Sequence, residues 1–411
     1  MPCLLVGLSL PYLPYHKAEE HLDELSLLAD TAGADEKERV IQRKQSVDPA
    51  FFIGEGKANE IAGTCREKKI QLVVFDDELS PAQIRNLEKA IGVKILDRTG
   101  LILDIFAKRA RTREAQAQVS LAQYNYLLPR LTRAWGHLSR QAGGIGTRGV
   151  GETQLETDRR VIRARISRLS EEIADLAQRR KVQAGRRENA FVAAFAGYTN
   201  VGKSSLMNAL TNSRLFSENR LFATLDTTFR RVHIPGILQE VLLVDTVGFI
   251  RKLPHSLVAS FSSTLGEIAV SDLVIHVLDI NHPDFEEQGD IVLKSLSELG
   301  GADIPTITVL NKTDISPSSF RDRALSLFPG ALAVSAKTGS GVRTLKAAIA
   351  CEVHKRFGGT TISVPYSRII EFLKMRNLFT VLREEYGTDF LEVEIRGRLE
   401  NIAALRRSVG S

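Results

Sequence analysis

The chain has 411 residues, of which 43% are hydrophobic and 25% charged, with a formal net charge of +6. At roughly 100–200 residues per domain this predicts two to four domains with enough apolar material for real cores. Disordered, fibrous and disulfide-built classes are excluded, and three widely spaced cysteines (Cys3, Cys65, Cys351) make no metal-ligand pattern and fit a reducing compartment.

The N-terminal run MPCLLVGLSLPYLP has no basic lead and no small-residue cleavage site, so it predicts a first strand over 3–8, not a signal peptide. No apolar run approaches the ~18 residues of a membrane span, which places the chain in the cytoplasm without stable membrane insertion. Leu22, Leu25 and Leu28 recur at helical spacing over 18–29. A buried strand is predicted over 71–75. Ser80-Pro81 reads as an N-cap and first helical residue, opening a helix to about 90. Another strand follows over 93–96. This alternation predicts a small, mostly parallel α/β domain over 1–110.

Residues 111–188 change character. Ala117, Leu121, Tyr124, Leu128 and Leu131, then Ile162, Ile166, Leu169, Ile173 and Leu176, each step 4, 3, 4, 3. Matching stripes of this kind predict two helices in an antiparallel hairpin. Between them lie five glycines in 143–151, a loop whose backbone can approach a partner closely. Residues 101–190 hold 18 Lys and Arg, 16 of them Arg, against nine Asp and Glu. That stretch carries +9 and the rest of the chain −3, a hint of a polyanion partner, although taken alone the charge reads slightly better as a solvated helical face. Arg159, Arg160, Arg163, Arg165 and Arg168 fall off the apolar stripe. Arg140, Arg148, Arg159, Arg160 and Arg163 are the candidate RNA contacts.

Strand–helix alternation returns over 189–357, with strands over 191–195, 241–244, 273–278, 306–310 and 332–334. His276, inside one of these, reads as a satisfied core histidine. The tail, 358–411, predicts a small α+β domain with strands over 361–364 and 390–395 and helices over 368–377 and 400–407.

Five short motifs stand in order on the strand ends of 189–357. Gly197-Tyr198-Thr199-Asn200-Val201-Gly202-Lys203-Ser204 fits GxxxxGK[ST] between a strand and a helix that opens with Ser205. Small residues there let backbone amides curl round phosphates at the positive end of a helix. Lys203 is expected to reach the β- and γ-phosphates, and the Ser204 hydroxyl to bind Mg²⁺. Asp245-Thr246-Val247-Gly248 places a carboxylate for Mg²⁺ and the Gly248 amide for the γ-phosphate. Asn311-Lys312-Thr313-Asp314 fits NKxD, in which the Asp314 carboxylate accepts from the two neighbouring donors of guanine. Ser335-Ala336-Lys337 offers the Ala336 amide to the guanine oxygen. Between the first two lies 222–228, with Phe222 and Thr224 as nucleotide contacts. One threonine of this segment is expected to close over Mg²⁺ and the γ-phosphate; Thr228 is chosen, with Thr227 as the alternative. The series predicts a P-loop GTP/GDP-binding domain with Lys203, Thr228 and Gly248 as its catalytic residues. Phe249 follows the glycine where many such enzymes carry a water-orienting Gln, so slow intrinsic hydrolysis is expected. Asn200 has two readings: a ligand for a monovalent cation such as K⁺, or a loop-stabilising hydrogen bond.

With these residues in place, the chain resembles the HflX family. The resemblance rests on 197–204, on 222–226, on 245–255, on the glycine-rich run continuing through Gly151-Glu152-Thr153-Gln154-Leu155-Glu156-Thr157-Asp158, and on Phe52-Ile53-Gly54-Glu55-Gly56-Lys57. It implies a cytoplasmic, monomeric factor that binds the large ribosomal subunit and its RNA, splits stalled ribosomes under stress when GTP-bound, and leaves on hydrolysis. The hairpin and glycine-rich loop would reach ribosomal RNA. One departure is Thr227, where members usually have Pro. The family is also reported to handle ATP through its N-terminal domain, and Gly54-Glu55-Gly56-Lys57 is the only candidate here; it lacks the full phosphate-loop spacing and reads better as a plain turn before a helix. An ATP-dependent RNA remodeller with GTP as regulator is therefore the alternative reading.

Overall fold

A computed structural model of the chain describes residues 1–131, 150–185, 189–211, 221–222, 225–252, 254, 266 and 268–410. They form two compact units. The first comprises the described residues of 1–176, 218–226 and 251–263, and the second comprises the others.

The first unit runs β1 (Pro2–Ser9), α1 (Tyr15–Ala32), β2 (Asp35–Arg43), α2 (Glu55–Glu67), β3 (Leu72–Phe75), α3 (Pro81–Ile91), β4 (Lys94–Asp97), α4 (Arg98–Arg109) and α5 (Arg113–Leu131), with α6 (Val150–Gly185) belonging to it as far as Leu176. Its four strands are all parallel, in the order β2-β1-β3-β4. Leu4, Val6, Val73 and Phe75 fill the core with Ile61 and Leu87 from the flanking helices. The start of α3 is a capping box. Ser80 Oγ accepts from the Gln83 amide and Gln83 Oε1 accepts from the Ser80 amide. β2 has no counterpart among the predicted strands. It is an edge strand with no fully buried residue, so its sequence, DEKERVIQR, shows charge and no apolar run.

Asp97 ties α5 down. This buried carboxylate caps α4 through the Gly100 amide at 2.8 Å, and accepts from Tyr126 Oη at 2.7 Å and Arg130 Nη2 at 3.0 Å. α5 therefore buries Ala115, Val119 and Ala122, while Leu121, Tyr124, Leu128 and Leu131 of the predicted stripe are only half-buried. Two polar contacts reach α6, one of them from Tyr124 of the stripe. Arg113 pairs with Glu172 at 2.6 Å and Arg165 donates to Tyr124 Oη at 2.7 Å. As the number rises on one helix it falls on the other, which is the antiparallel arrangement expected. On α6, Ile162, Ile166, Leu169, Ile173 and Leu176 are all half-buried, and Arg160, Arg163, Arg165 and Arg168 are exposed. Arg159 is half-buried. α6 begins at Val150, so the last two residues of the glycine-rich stretch are helical; Arg140 and Arg148 lie outside the described residues.

The second unit runs β5 (Phe191–Gly197), α7 (Lys203–Thr211), β6 (Thr228–Val232), β7 (Val241–Asp245), β8 (Leu273–Asp279), α8 (Phe285–Glu298), β9 (Thr306–Asn311), α9 (Ser318–Leu327), β10 (Leu332–Ala333) and α10 (Val342–Arg356). The sheet order is β10-β9-β8-β5-β7-β6, parallel except for β6. A three-stranded antiparallel sheet follows, β11 (Phe357–Pro365), β13 (Phe390–Arg398) and β12 (Phe379–Tyr386), with α11 (Ile369–Met375) and α12 (Leu399–Val409) packed on it. Buried Asp272 joins the two sheets. It accepts from the Val192 amide at 2.9 Å, from Arg356 Nη1 at 2.8 Å, and from Arg398 Nη1 and Nη2 at 2.6 and 2.8 Å.

His276 sits in the middle of β8, fully buried. It is a core residue as expected, but not a satisfied one: neither ring nitrogen has a hydrogen-bond partner among the described residues. Burial pushes its pKa down to about 4. A histidine lowered in this way supports the fold fully above its unfolded pKa near 6.5 and loses that support as pH falls toward 4, at about 1.4 kcal/mol per pH unit. His276→Leu removes a buried unmatched polar ring and is expected to raise stability at pH 7 by about 1–3 kcal/mol. Denaturant unfolding at pH 7 and pH 5 checks this: the gap between variant and parent should widen at pH 5.

Candidate nucleotide-binding site

Every motif expected at the nucleotide lies in the second unit at the carboxyl end of a strand, except for 222–228. β5 ends at Gly197 and α7 starts at Lys203, so the five residues between them form the turn. Asn200 and Gly202 adopt positive φ, +63° and +94°. At Gly202 a Cβ would collide with the Asn311 amide, so this turn needs glycine for conformation and for space. Lys203 is buried, and its Nζ donates to the carbonyls of Gly197 at 3.0 Å and Tyr198 at 2.8 Å. Burial lowers its pKa to about 8, against the opposing pull of Asp245.

Asp245 ends β7, and Ser204 Oγ donates to its Oδ2 at 2.5 Å. This hydroxyl–carboxylate pair suits a hard cation that keeps water and phosphate oxygens as its other ligands. No cluster of three or more His, Cys, Asp or Glu that could hold a metal ion occurs among the described residues. Gly248 approaches so closely that a Cβ would lie 2.9 Å from Lys203 Nζ and from Thr199 Cα. Beside it, the Phe249 amide donates to the Gly197 carbonyl at 3.1 Å, and the Thr199 amide donates to the Phe249 carbonyl at 2.8 Å.

The base end is braced from within. Asn311 Nδ2 donates to the Val201 carbonyl at 2.8 Å, and its Oδ1 accepts from the Ala336 amide at 3.1 Å. One side chain thus joins the phosphate loop to the 335–337 loop. Asp314 Oδ1 accepts from Ser335 Oγ at 2.7 Å. Lys312 has φ +62° and pairs with Asp279 at 2.7 Å, while Asn281 Nδ2 donates to its carbonyl at 3.0 Å. Lys337 is exposed and Ser205 half-buried on α7. Asp279 and Asn281 were missed by motif reading; the signal was an acidic residue ending the apolar run of β8.

The segment 222–228 divides. Thr228 opens β6 directly opposite Asp245 in the strand register, with Thr227 just before it. Thr224 lies outside the described residues. Phe222 is corrected: its ring is buried in the first unit, edge-on to Phe106 at 4.7 Å, because an apolar ring of this size gains more from core packing than from a polar ligand. Asp226 belongs to the same unit, where it accepts from the amides of Arg111 at 3.1 Å and Thr112 at 3.4 Å and from Thr112 Oγ1 at 2.5 Å. The second nucleotide reading fails at 54–57. Gly54 is the N-cap of α2, and Lys57 Nζ is held by both Glu60 carboxylate oxygens at 2.8 Å. It is a turn before a helix.

Residues 19–107 match the family model described as GTP-binding GTPase N-terminal, 109–187 that of the GTP-binding GTPase middle region, and 192–312 that of the 50S ribosome-binding GTPase. The chain is similar to "GTPase HflX" of Caldanaerobacter subterraneus, 44% identical over 93% of this chain and 90% of that one. It is likewise similar to the proteins of that name from Flavobacterium psychrophilum, at 52% over 76% and 75%, and Escherichia coli, at 42% over 86% and 84%. The chain belongs to the HflX family. Like that family it is a GTPase: it binds GTP and GDP and hydrolyses GTP. No helix among its described residues is long and apolar enough to cross a membrane.

Proposed function

We propose that this GTPase docks on the large ribosomal subunit in its GTP-bound state, separates the subunits of stalled ribosomes, and leaves after hydrolysis, acting in the cytoplasm as a monomer. The observation that carries this reading is the row of exposed guanidinium groups, Arg160, Arg163 and Arg168, along the solvent side of α6. Together with Arg140, Arg148 and Arg159 they supply the phosphate contacts to ribosomal RNA. The Lys57–Glu60 pair speaks against the alternative of an ATP-driven RNA remodeller.

In this reading Ser204, Asp245 and Thr228 hold Mg²⁺, which supplies charge to the β- and γ-phosphates. Lys203 neutralises the same phosphates, the Gly248 amide meets the γ-phosphate, and Asp314 with Ala336 selects guanine. Phe249 is apolar and orients no water. The Asn200 side chain is exposed and makes no hydrogen bond among the described residues, which favours a K⁺ ligand over a loop brace. Hydrolysis is expected to run at least several-fold faster in KCl than in NaCl at equal ionic strength; equal rates remove K⁺ from the scheme.

Sedimentation with purified subunits tests the function. Co-migration with the large subunit is expected with a non-hydrolysable GTP analogue and not with GDP, and indifference to nucleotide sinks the proposal. Arg160→Ala with Arg163→Ala should reduce the slope of log affinity against log salt by about 1–2, since each lost phosphate contact removes about one released counterion. GTP affinity should not change.

A further inference from the structure

The loop that carries Asp314 is held from an element that none of the five motifs includes. β8 and β9 run side by side, and their last residues, Asp279 and Asn311, are partners in the parallel register. The chain leaves both strands at the same level. Residues just past β8 therefore stand beside the NKxD loop just past β9.

Lys312 follows β9 at φ +62°, the left-handed region that an L side chain rarely adopts. It is held there at both ends. Its ammonium group pairs with Asp279 Oδ2 at 2.7 Å, and the Asp279 side chain is only 15% exposed, so water and salt screen this pair less than a surface one. Its carbonyl accepts from Asn281 Nδ2 at 3.0 Å. Asn281 is itself set by Asp279, whose Oδ1 accepts from the Asn281 amide at 3.1 Å. One carboxylate thus serves both grips, with one oxygen on its own loop and the other on Lys312.

The grip bears on the base reader. The Lys312 carbonyl also accepts from the Ile315 amide at 3.3 Å, which closes a turn with Asp314 inside it. Ser335 Oγ fixes one Asp314 oxygen at 2.7 Å, but the direction of the whole side chain follows the backbone of that turn. If Lys312 relaxed to negative φ, the turn would open and the carboxylate two residues on would turn with it. Hydrogen bonds weaken steeply with misalignment, and a carboxylate that must meet two adjacent donors has little tolerance.

We propose that Asp279 and Asn281 are positioning residues for guanine recognition: they hold Lys312 in its left-handed conformation and so aim the Asp314 carboxylate at the base. The guanine reader then begins at the end of β8, one strand before NKxD. This role rests on the reading of Asp314 as the group that meets guanine, and it needs no ribosome.

The test compares GDP with inosine diphosphate, whose base keeps the ring N–H and lacks the exocyclic amine. The full chain should prefer GDP. Asn281→Ala should weaken GDP binding by about five- to tenfold, the net worth of one hydrogen bond. Inosine diphosphate has one contact to Asp314 to lose where GDP has two, so it should lose less and the preference should narrow. Asp279→Ala should narrow it likewise, and provides the reading if the first variant does not fold. In Lys312→Gly, glycine takes the positive φ freely and there is no ammonium group to pair. Adding Asp279→Ala to that variant should leave the ratio of the two affinities where Lys312→Gly sets it. Equal losses for the two diphosphates, no loss, or full additivity with Lys312→Gly overturns the positioning role. Asp314→Asn, measured beside these, separates the two claims. A shift toward xanthosine diphosphate there, with an unchanged ratio in Asn281→Ala, overturns the positioning role alone; no shift overturns both.

Discussion

Asp314→Asn should lower GTP affinity by roughly 10²–10⁴-fold and make xanthosine triphosphate the better ligand. The carboxylate accepts only, and guanine presents two adjacent donors. Two hydrogen bonds to a charged acceptor are worth about 1.5–3 kcal/mol each, which gives the range stated. The amide of Asn turns one of those contacts into donor against donor, whereas xanthine offers an acceptor at the same position. Asp314 is held for this task by Ser335 Oγ, and the loop around it is fixed by Asn311. Competition binding with both triphosphates checks the exchange. If xanthosine triphosphate gains nothing relative to GTP, Asp314 does not read the base.

Asp272→Ala should cost the second unit about 3–5 kcal/mol, the penalty for breaking a buried ion pair and leaving its partners uncompensated. Arg356 and Arg398 both end on this carboxylate, and Arg398 also stacks over Phe357 at 5.1 Å. The loss falls on the junction between the six-stranded and three-stranded sheets, not on the nucleotide loops. Denaturant unfolding should therefore show a lower midpoint, while GTP affinity of the folded fraction stays at the parent value. Asp272→Asn should cost less, because an amide oxygen still accepts from the Val192 amide. An unchanged midpoint in the alanine variant would mean that the junction is held by packing alone.

The nucleotide loops were legible in the sequence because each motif is local: a strand end, a turn and a helix start within eight residues. The same holds for Ser80, whose cap is decided three residues away. The α6 stripe was legible because Ile162 to Leu176 face one way. The α5 stripe was less so, since that helix has two working faces and small residues, Ala115 and Ala122, take the more buried one. β2 escaped because an edge strand is under no pressure to look apolar. Phe222, Asp226 and Lys252 escaped for a different reason. Their partners, Phe106, Thr112 and Asp76, are more than a hundred residues away, and spacing carries no information about pairing at that distance. His276 shows the limit in the core: the pattern gave its burial and not its missing partners.

The way the chain weaves between its two units bears on how it can be cut. A fragment limited to 189–357 carries all five guanine-nucleotide motifs and would be the natural choice for a binding assay. It would also carry Phe222 without the Phe106 ring, and Asp226 and Lys252 without their partners. Asp272 would lose Arg398 at the other border. Such a fragment would be sticky and loosely held at its carboxyl border. The boundaries of the catalytic part and the boundaries of the functional part of this chain do not coincide.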